Sequence, residues 1–193
     1  MSELFEHKGE IQVIFGPMFS GKTTELLRRI RRYQIRNNSC IVIKTPESRY
    51  DEELNQVVSH DLTNSLEAIS SEKLIGCLTT VFEYQVIGID EGQFFPDLVE
   101  FCDEMANRGK VVIVACLDAD FKRNPFGNVC NLIPKAEKVC KLRSICTQCK
   151  KSAAFTARLT NETEVKVIGG LEKYKPVCRS CYFAISKRNF ISK

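Results

Sequence analysis

Histidine is scarce in this chain. His7 and His60 are its two histidines in 193 residues, and neither has a sequence neighbour that reads as a catalytic pairing. Long apolar runs are missing as well. The longest, Val111 to Leu117, is far short of the roughly 20 residues that cross a bilayer, so no membrane span is expected. The opening stretch, Met1-Ser2-Glu3-Leu4-Phe5-Glu6, lacks the charged-then-apolar layout of a secretory signal, and a cytoplasmic protein is the expectation. Strong charge of one sign is absent too: 28 Lys and Arg against 24 Asp and Glu leave a net charge of +4. The one basic cluster, Arg28, Arg29, Arg31, Arg32 and Arg36, spreads around most of a helix circumference instead of forming one stripe. It reads as a solvated or subunit-contact face, and nucleic acid is an unlikely partner. No internal repeat or low-complexity tract is visible.

What is present is the composition of an ordinary globular protein of one or two domains, 44% hydrophobic and 27% charged. Its organising stretch is Gly16-Pro17-Met18-Phe19-Ser20-Gly21-Lys22-Thr23, which follows the apolar run Ile11–Phe15 and opens a helical segment from Thr24 to about Tyr33. Strand, glycine-framed turn, Lys then Thr, and helix N-terminus are together the context of a phosphate-binding loop. Gly16 and Gly21 let backbone N–H groups face inward as an anion nest, and the helix end adds its positive pole. Lys22 is placed for the terminal phosphates of a nucleoside triphosphate and the Thr23 hydroxyl for Mg²⁺.

Further strands are expected at Cys40–Lys44, at Val86–Ile89 and at Lys110–Ala115, all apolar runs of the buried parallel type. Residues 45–72 are polar and read as a mobile loop returning to a helix near Ser71 to Tyr84. Asp97 to Arg108 carries Leu98, Phe101, Cys102 and Met105 at helical spacing and ends at Gly109. Asp118 to Asn128 reads as a loop, followed by a short helix and a strand near Val139 to Leu142. The fold class is α/β: a phosphate-loop, RecA-like parallel sheet flanked by helices, with a small C-terminal zinc-ribbon-like domain bearing a long lasso loop. The pattern changes near residue 143, so domains are expected at 1–143 and 144–193.

Asp90-Glu91 ends the strand expected beside the first one, where a phosphate-loop fold needs carboxylates: Asp90 to support Mg²⁺, Glu91 to act on the attacking nucleophile. An alcohol is far less acidic than a carboxyl group. Glu91 would align the hydroxyl and take its proton as bonding to phosphorus develops. The plainer reading makes both residues caps of the next helix. Phe94, Phe121 and Phe126 surround this presumed site; each can stack on a flat base, and each can equally be core.

Six of the ten cysteines, Cys40, Cys77, Cys102, Cys116, Cys130 and Cys140, stand singly among apolar neighbours and read as reduced core thiols. The other four form two Cys-x-x-Cys pairs, Cys146/Cys149 and Cys178/Cys181, a full ligand set for structural Zn²⁺; two disulfides or redox pairs are the competing reading. The interval between the pairs is longer than an ordinary ribbon's, so zinc would pin both feet of a loop carrying Gly169-Gly170 and ending near Tyr174. That segment folds over a ligand, or else is a β-hairpin bent at the glycines.

With these stretches in hand the chain resembles the cellular, zinc-containing type of the thymidine kinase family, from about Gly9 to Phe183. The marks are the phosphate loop, Gly88-Ile89-Asp90-Glu91-Gly92-Gln93-Phe94-Phe95, the Pro-Phe-Gly within Arg123 to Gly127, Val167-Ile168-Gly169-Gly170, and the four cysteines. The resemblance implies Mg²⁺-dependent transfer of the ATP γ-phosphoryl group to the 5′-hydroxyl of thymidine. It places Glu91 as base, Asp90 and Thr23 at Mg²⁺, and Gln93 with Glu47, Ser48 and Arg49 at the nucleotide phosphates. It implies Phe121 lining the nucleoside pocket, and Met18, Leu117 and Thr156 near the 5-methyl group. The backbone of Val165, Lys166, Val167, Ile168 and Gly169 would hold the thymine edge, with Tyr174 covering it. It also implies a homotetramer inhibited by dTTP. Two positions depart from the family: Glu47 stands where Asp is common, and Phe155 where Tyr is frequent. A phosphate-loop ATPase using its zinc ribbon on nucleic acid is the alternative.

Overall fold

β-Branched runs that are apolar on both faces suit strands covered by helices on each side, and three of them build the centre of this fold. The computed structural model describes residues 9–46, 56–57, 66–160, 162–167 and 169–191. In chain order the elements are β1 (Glu10–Phe15), α1 (Lys22–Gln34), β2 (Cys40–Lys44), β3 (Gln56–Val57), β4 (Leu66–Ser70), α2 (Leu78–Val81), β5 (Val86–Ile89), α3 (Leu98–Asn107), β6 (Val111–Cys116), α4 (Val129–Leu132) and β7 (Lys138–Lys141). The C-terminal part adds β8 (Ser144–Ile145), β9 (Ser152–Ala153), β10 (Phe155–Arg158), β11 (Tyr174–Val177) and α5 (Arg179–Ile191). The main sheet runs β3-β4-β2-β5-β6-β1-β7. Its strands are parallel from β4 to β7, and β3 joins antiparallel to β4.

Alternation along β1 sends Ile11 and Val13 into the core layer shared with α3, and Ile14 into the layer shared with α1. Helix α1 buries Leu26, Leu27 and Ile30, one stripe at helical spacing. It lies so close to β5 that a Cβ on Gly88 would stand 2.5 Å from Ile30 Cδ1. On the opposite side of α1, Glu25 pairs with Arg28 at 2.6 Å and Arg29 at 2.8 Å, so part of the basic cluster is neutralised within its own helix.

Several expectations are corrected here. The segment read as a loop over 45–72 contains β4, paired parallel to β2 with Val42 opposite Ala68. Glu67 and Ser70 break the apolar residues of Leu66-Glu67-Ala68-Ile69-Ser70, so no continuous apolar run announced it. No single helix covers Ser71 to Tyr84. A 3₁₀ turn over Leu74–Cys77 and the one-turn α2 take its place. Gly76 interrupts the segment, and the Asp97 carboxylate accepts from the N–H groups of Leu74 (3.2 Å) and Ile75 (2.8 Å). Strand β5 is not beside β1, because β6 lies between them. Two of the six single cysteines are not core thiols: Cys130 is exposed and Cys140 half-buried. The one-turn α4 buries Val129 and Leu132 and turns Cys130 outward, while Cys140 sits on edge strand β7. Cys40, Cys77, Cys102 and Cys116 are buried, and all ten cysteines are free.

The C-terminal lobe has a small core of Cys146, Ala153, Ala157, Val177 and Tyr182. It is held to the sheet domain at the mouth of the phosphate loop. Thr156 Oγ1 accepts from the Met18 N–H at 3.0 Å, Ser144 Oγ donates to the Phe19 carbonyl at 2.8 Å, and Tyr182 Oη donates to the Phe121 carbonyl at 2.8 Å. The Arg123 guanidinium adds a contact 4.8 Å from the ring centroids of both Tyr182 and Phe183.

Candidate active site

The phosphate loop leaves the end of β1 and turns through two left-handed residues, Phe19 (φ 61°) and Gly21 (φ 81°), before α1 begins at Lys22. A bulky residue in that region costs about 1–2 kcal/mol, tolerated here by the closure of the loop. Lys22 is enclosed, and its Nζ donates to the Pro17 carbonyl at 2.9 Å. Burial pulls the Lys22 ammonium below its ordinary value, while the nearby charges of Glu91 and Asp90 work the other way. Thr23 Oγ1 lies 3.0 Å from each carboxylate oxygen of Asp90. Burial and then the Glu91 charge push the Asp90 carboxyl up to about 7, against the Thr23 hydrogen bond. An acid held so far from easy ionisation beside a hydroxyl is a fitting seat for a divalent cation, whose charge would restore the carboxylate.

Glu91 follows immediately in a left-handed conformation (φ 54°). Its carboxylate accepts from Gln93 Nε2 at 2.6 Å, and Gln93 Oε1 accepts from the Leu117 N–H at 2.8 Å. Gln93 thus fixes the direction of Glu91 by tying it to the exit of β6. Gly127 closes over the same spot: with φ 55°, a Cβ there would stand 2.4 Å from the Gln93 carbonyl oxygen.

Above Glu91 opens a cavity of about 380 Å³. Lys22, Thr23 and Glu91 are among the residues that line it. Met18, Phe94, Leu117, Phe121 and Phe126 form apolar walls, with Phe94 and Phe126 edge to face at 5.5 Å. Thr156, Val165, Lys166, Val167 and Tyr174 close it from the C-terminal lobe. The lasso loop over 159–173 springs from the antiparallel pair β10–β11, and no strand or helix lies among its described residues. Tyr174 Oη donates to the Val167 carbonyl at 2.8 Å and holds the loop inward.

The sulfurs of Cys146, Cys149, Cys178 and Cys181 all lie within 4.8 Å of one another, with Cys149 and Cys178 at 3.6 Å. Four Zn–S bonds of about 2.3 Å at tetrahedral angles set sulfurs about 3.8 Å apart, so the cluster fits zinc. Burial raises the Cys146 thiol, but N–H groups of Cys178, Cys149 and Gln148 outweigh it and bring the thiol down to about 6, towards the thiolate a metal needs.

A family model described as thymidine kinase matches residues 9–182. The chain belongs to the thymidine kinase family. It is 54% identical over 175 residues to the thymidine kinase of Vaccinia virus (strain Ankara), covering 90% of this chain and 97% of that one. With the same coverage it is 53% identical to the thymidine kinases of Variola virus (isolate Human/India/Ind3/1967) and of Monkeypox virus.

Against that thymidine kinase framework, most residues singled out from the sequence meet at one cleft. Met18, Phe19, Ser20, Gly21, Lys22, Thr23, Glu91, Phe94, Leu117, Phe121, Phe126, Thr156, Val165, Lys166, Val167 and Tyr174 line it. Gly16, Pro17, Asp90, Gln93 and Gly169 do not line it: Asp90 and Gln93 reach it through Thr23 and Glu91, and Gly169 packs against Lys173. Glu47, Ser48, Arg49 and Ile168 lie outside the described residues. Sequence reasoning missed Thr24, Thr45, Ala119, Asp120 and Arg158. Asp120 shapes the loop bearing Phe121 and Phe126: its Oδ1 accepts from the N–H groups of Lys122 and Asn124, both at 2.8 Å. The Asp-x-x-x-Asn spacing was a usable signal of such a turn. Arg158 follows Thr156 by two along β10 and therefore shares its face, a second signal that could have been read.

Proposed function

We propose that this chain transfers the γ-phosphoryl group of ATP to the 5′-hydroxyl of thymidine, giving thymidine monophosphate. The observation that carries the reading is that one cavity is lined both by Lys22, Thr23 and Glu91 of the phosphate-loop side and by Met18, Thr156 and Tyr174. Family membership and relatives at 53–54% identity named thymidine kinase support it.

In this reading Gly16 to Thr23 cradle the triphosphate, Lys22 neutralises its terminal phosphates, and Glu47, Ser48 and Arg49 add contacts to them. Thr23 and Asp90 would hold Mg²⁺, which would supply charge neutralisation to the phosphates. Glu91 orients the 5′-hydroxyl and accepts its proton as the oxygen–phosphorus bond forms, and Gln93 keeps the carboxylate aimed. Such general-base help is worth on the order of 10² to 10⁴ in rate. Phe94, Phe121 and Phe126 pack on the nucleoside, and Met18, Leu117 and Thr156 surround the 5-methyl group. The lasso backbone from Val165 to Gly169 reads O2, N3–H and O4 of thymine, with Tyr174 as cover. Cys146, Cys149, Cys178 and Cys181 would hold zinc as a structural ion that fixes the feet of that loop.

Cytosine presents a different pattern at N3 and C4, so binding it leaves buried backbone groups unpaired. Loss of the 5-methyl group leaves only an unfilled apolar contact. Strong rejection of deoxycytidine and weak rejection of deoxyuridine are expected; comparable kcat/KM for deoxycytidine and thymidine would sink this.

The reading extends to a sheet domain over 1–143 with a zinc domain over 144–193, a homotetramer, inhibition by dTTP in the nucleoside site, and work in the cytoplasm. Ten free thiols agree with a reducing compartment. No described helix is long and apolar enough to cross a membrane. The test is ATP consumption with and without thymidine, with thymidine monophosphate measured as product. Stoichiometric formation is expected; turnover stimulated by DNA and indifferent to thymidine would overturn the reading.

A further inference from the structure

We infer that Arg158 is a positioning residue that holds the lasso loop in the shape that receives the nucleoside. The inference rests on the reading of the cleft as a thymidine site. Arg158 ends β10 and is only 4% exposed, although it carries a charge. A buried charge must find compensation, and this one finds it chiefly in the loop's own backbone. Nη1 donates to the carbonyl oxygens of Glu162 (3.0 Å) and Glu164, and Nη2 to that of Val165 (3.0 Å) and to Tyr174 Oη (2.7 Å). Tyr174 passes the tie on to the Val167 carbonyl. The guanidinium also lies 3.7 Å from the ring centroid of Phe121, on the opposite wall.

One planar fork therefore fixes a loop that has no strand ladder of its own among the described residues, and sets its spacing from Phe121. Without the fork the loop's carbonyls return to water and its backbone samples many shapes. The apparent affinity of a ligand falls by the fraction of molecules holding the competent shape. Lys22, Thr23 and Glu91 stand on the sheet domain, so the chemistry of a bound nucleoside is untouched. Loss of Arg158 therefore raises KM for thymidine and spares kcat and the KM for ATP.

The experiment compares R158K and R158A with the wild-type protein, varying thymidine and ATP separately. At least a tenfold rise in thymidine KM is expected in both variants, with kcat within about threefold and ATP KM unchanged. Lysine keeps the charge and lacks the fork, so its failure to rescue assigns the effect to geometry. A wild-type thymidine KM in R158K overturns the inference, as does a parallel rise in both KM values. Inactivity of the wild-type protein on thymidine would instead refute the functional reading. Tryptic cleavage after the exposed Lys166 then decides the clamp: at least tenfold faster cutting in R158K supports it, and equal rates overturn it.

Discussion

Asp90 carries a stability penalty that substitution should release. Its carboxyl is pushed from its ordinary value of 3.8 up to about 7, by burial first and by the neighbouring Glu91 second, with Thr23 opposing. Between those values the folded protein keeps the proton that the unfolded chain releases, so the folded state binds more protons and rising pH lowers stability. The loss begins near the unfolded value and is complete above about pH 7. At about 1.4 kcal/mol for each unit, the ceiling is about 4 kcal/mol. Asp90→Asn removes the charge and keeps an oxygen that can accept the single Thr23 hydroxyl proton; relaxation around the buried charge brings the net gain below that ceiling, to about 2–3 kcal/mol. For a chain of this length that is a rise in Tm of about 4–12 °C. The assay is thermal melting of magnesium- and nucleotide-free protein, its four clustered cysteines kept loaded with zinc, from about pH 4.5 to about pH 8. The two proteins should melt together at the acid end and diverge as pH rises, while the Asn protein loses turnover with its Mg²⁺ seat. A difference in Tm that stays constant across that range would refute the reasoning.

Gly127→Ala should destabilise the protein by about 1–3 kcal/mol, since a side chain there meets both a left-handed backbone and the Gln93 carbonyl. Activity should fall further than stability, because Gln93 aims Glu91; calorimetry beside steady-state rates separates the two, and an unchanged kcat in a destabilised variant would remove Gln93 from that role. Removing zinc with a chelator, or replacing Cys178 by Ser, should abolish nucleoside binding before ATP binding. Simultaneous loss of both, measured by titration calorimetry, would mean that the lobes do not fold separately.

The parts that could be read from the sequence are those whose signal is local. The phosphate loop announces itself through Gly16, Gly21, Lys22 and Thr23, and β2, β5 and β6 through continuous apolar runs. The four zinc-type cysteines are spaced by chemistry. Strand β4 was hidden because Glu67 and Ser70 break its short apolar run, Leu66-Glu67-Ala68-Ile69-Ser70, and it stands in an otherwise polar segment. Strand order was hidden because pairing is set by tertiary packing: the chain does not say that β6 will lie between β1 and β5, although Thr23 still reaches Asp90. Arg158 was hidden by its type. An arginine at a strand end ordinarily faces water, and only the tertiary fold supplies the carbonyls and the Phe121 face that make burial tolerable.

The most direct measurement of the central claim pairs wild-type protein with Glu91→Gln, following thymidine monophosphate formation and ATP affinity in the same samples. The account expects one monophosphate formed for each ATP consumed by the wild type. It expects the Gln protein to bind ATP normally and lose at least about 10²-fold in kcat. Near-normal turnover in the Gln protein, or ATP hydrolysis that proceeds equally without thymidine, would contradict it.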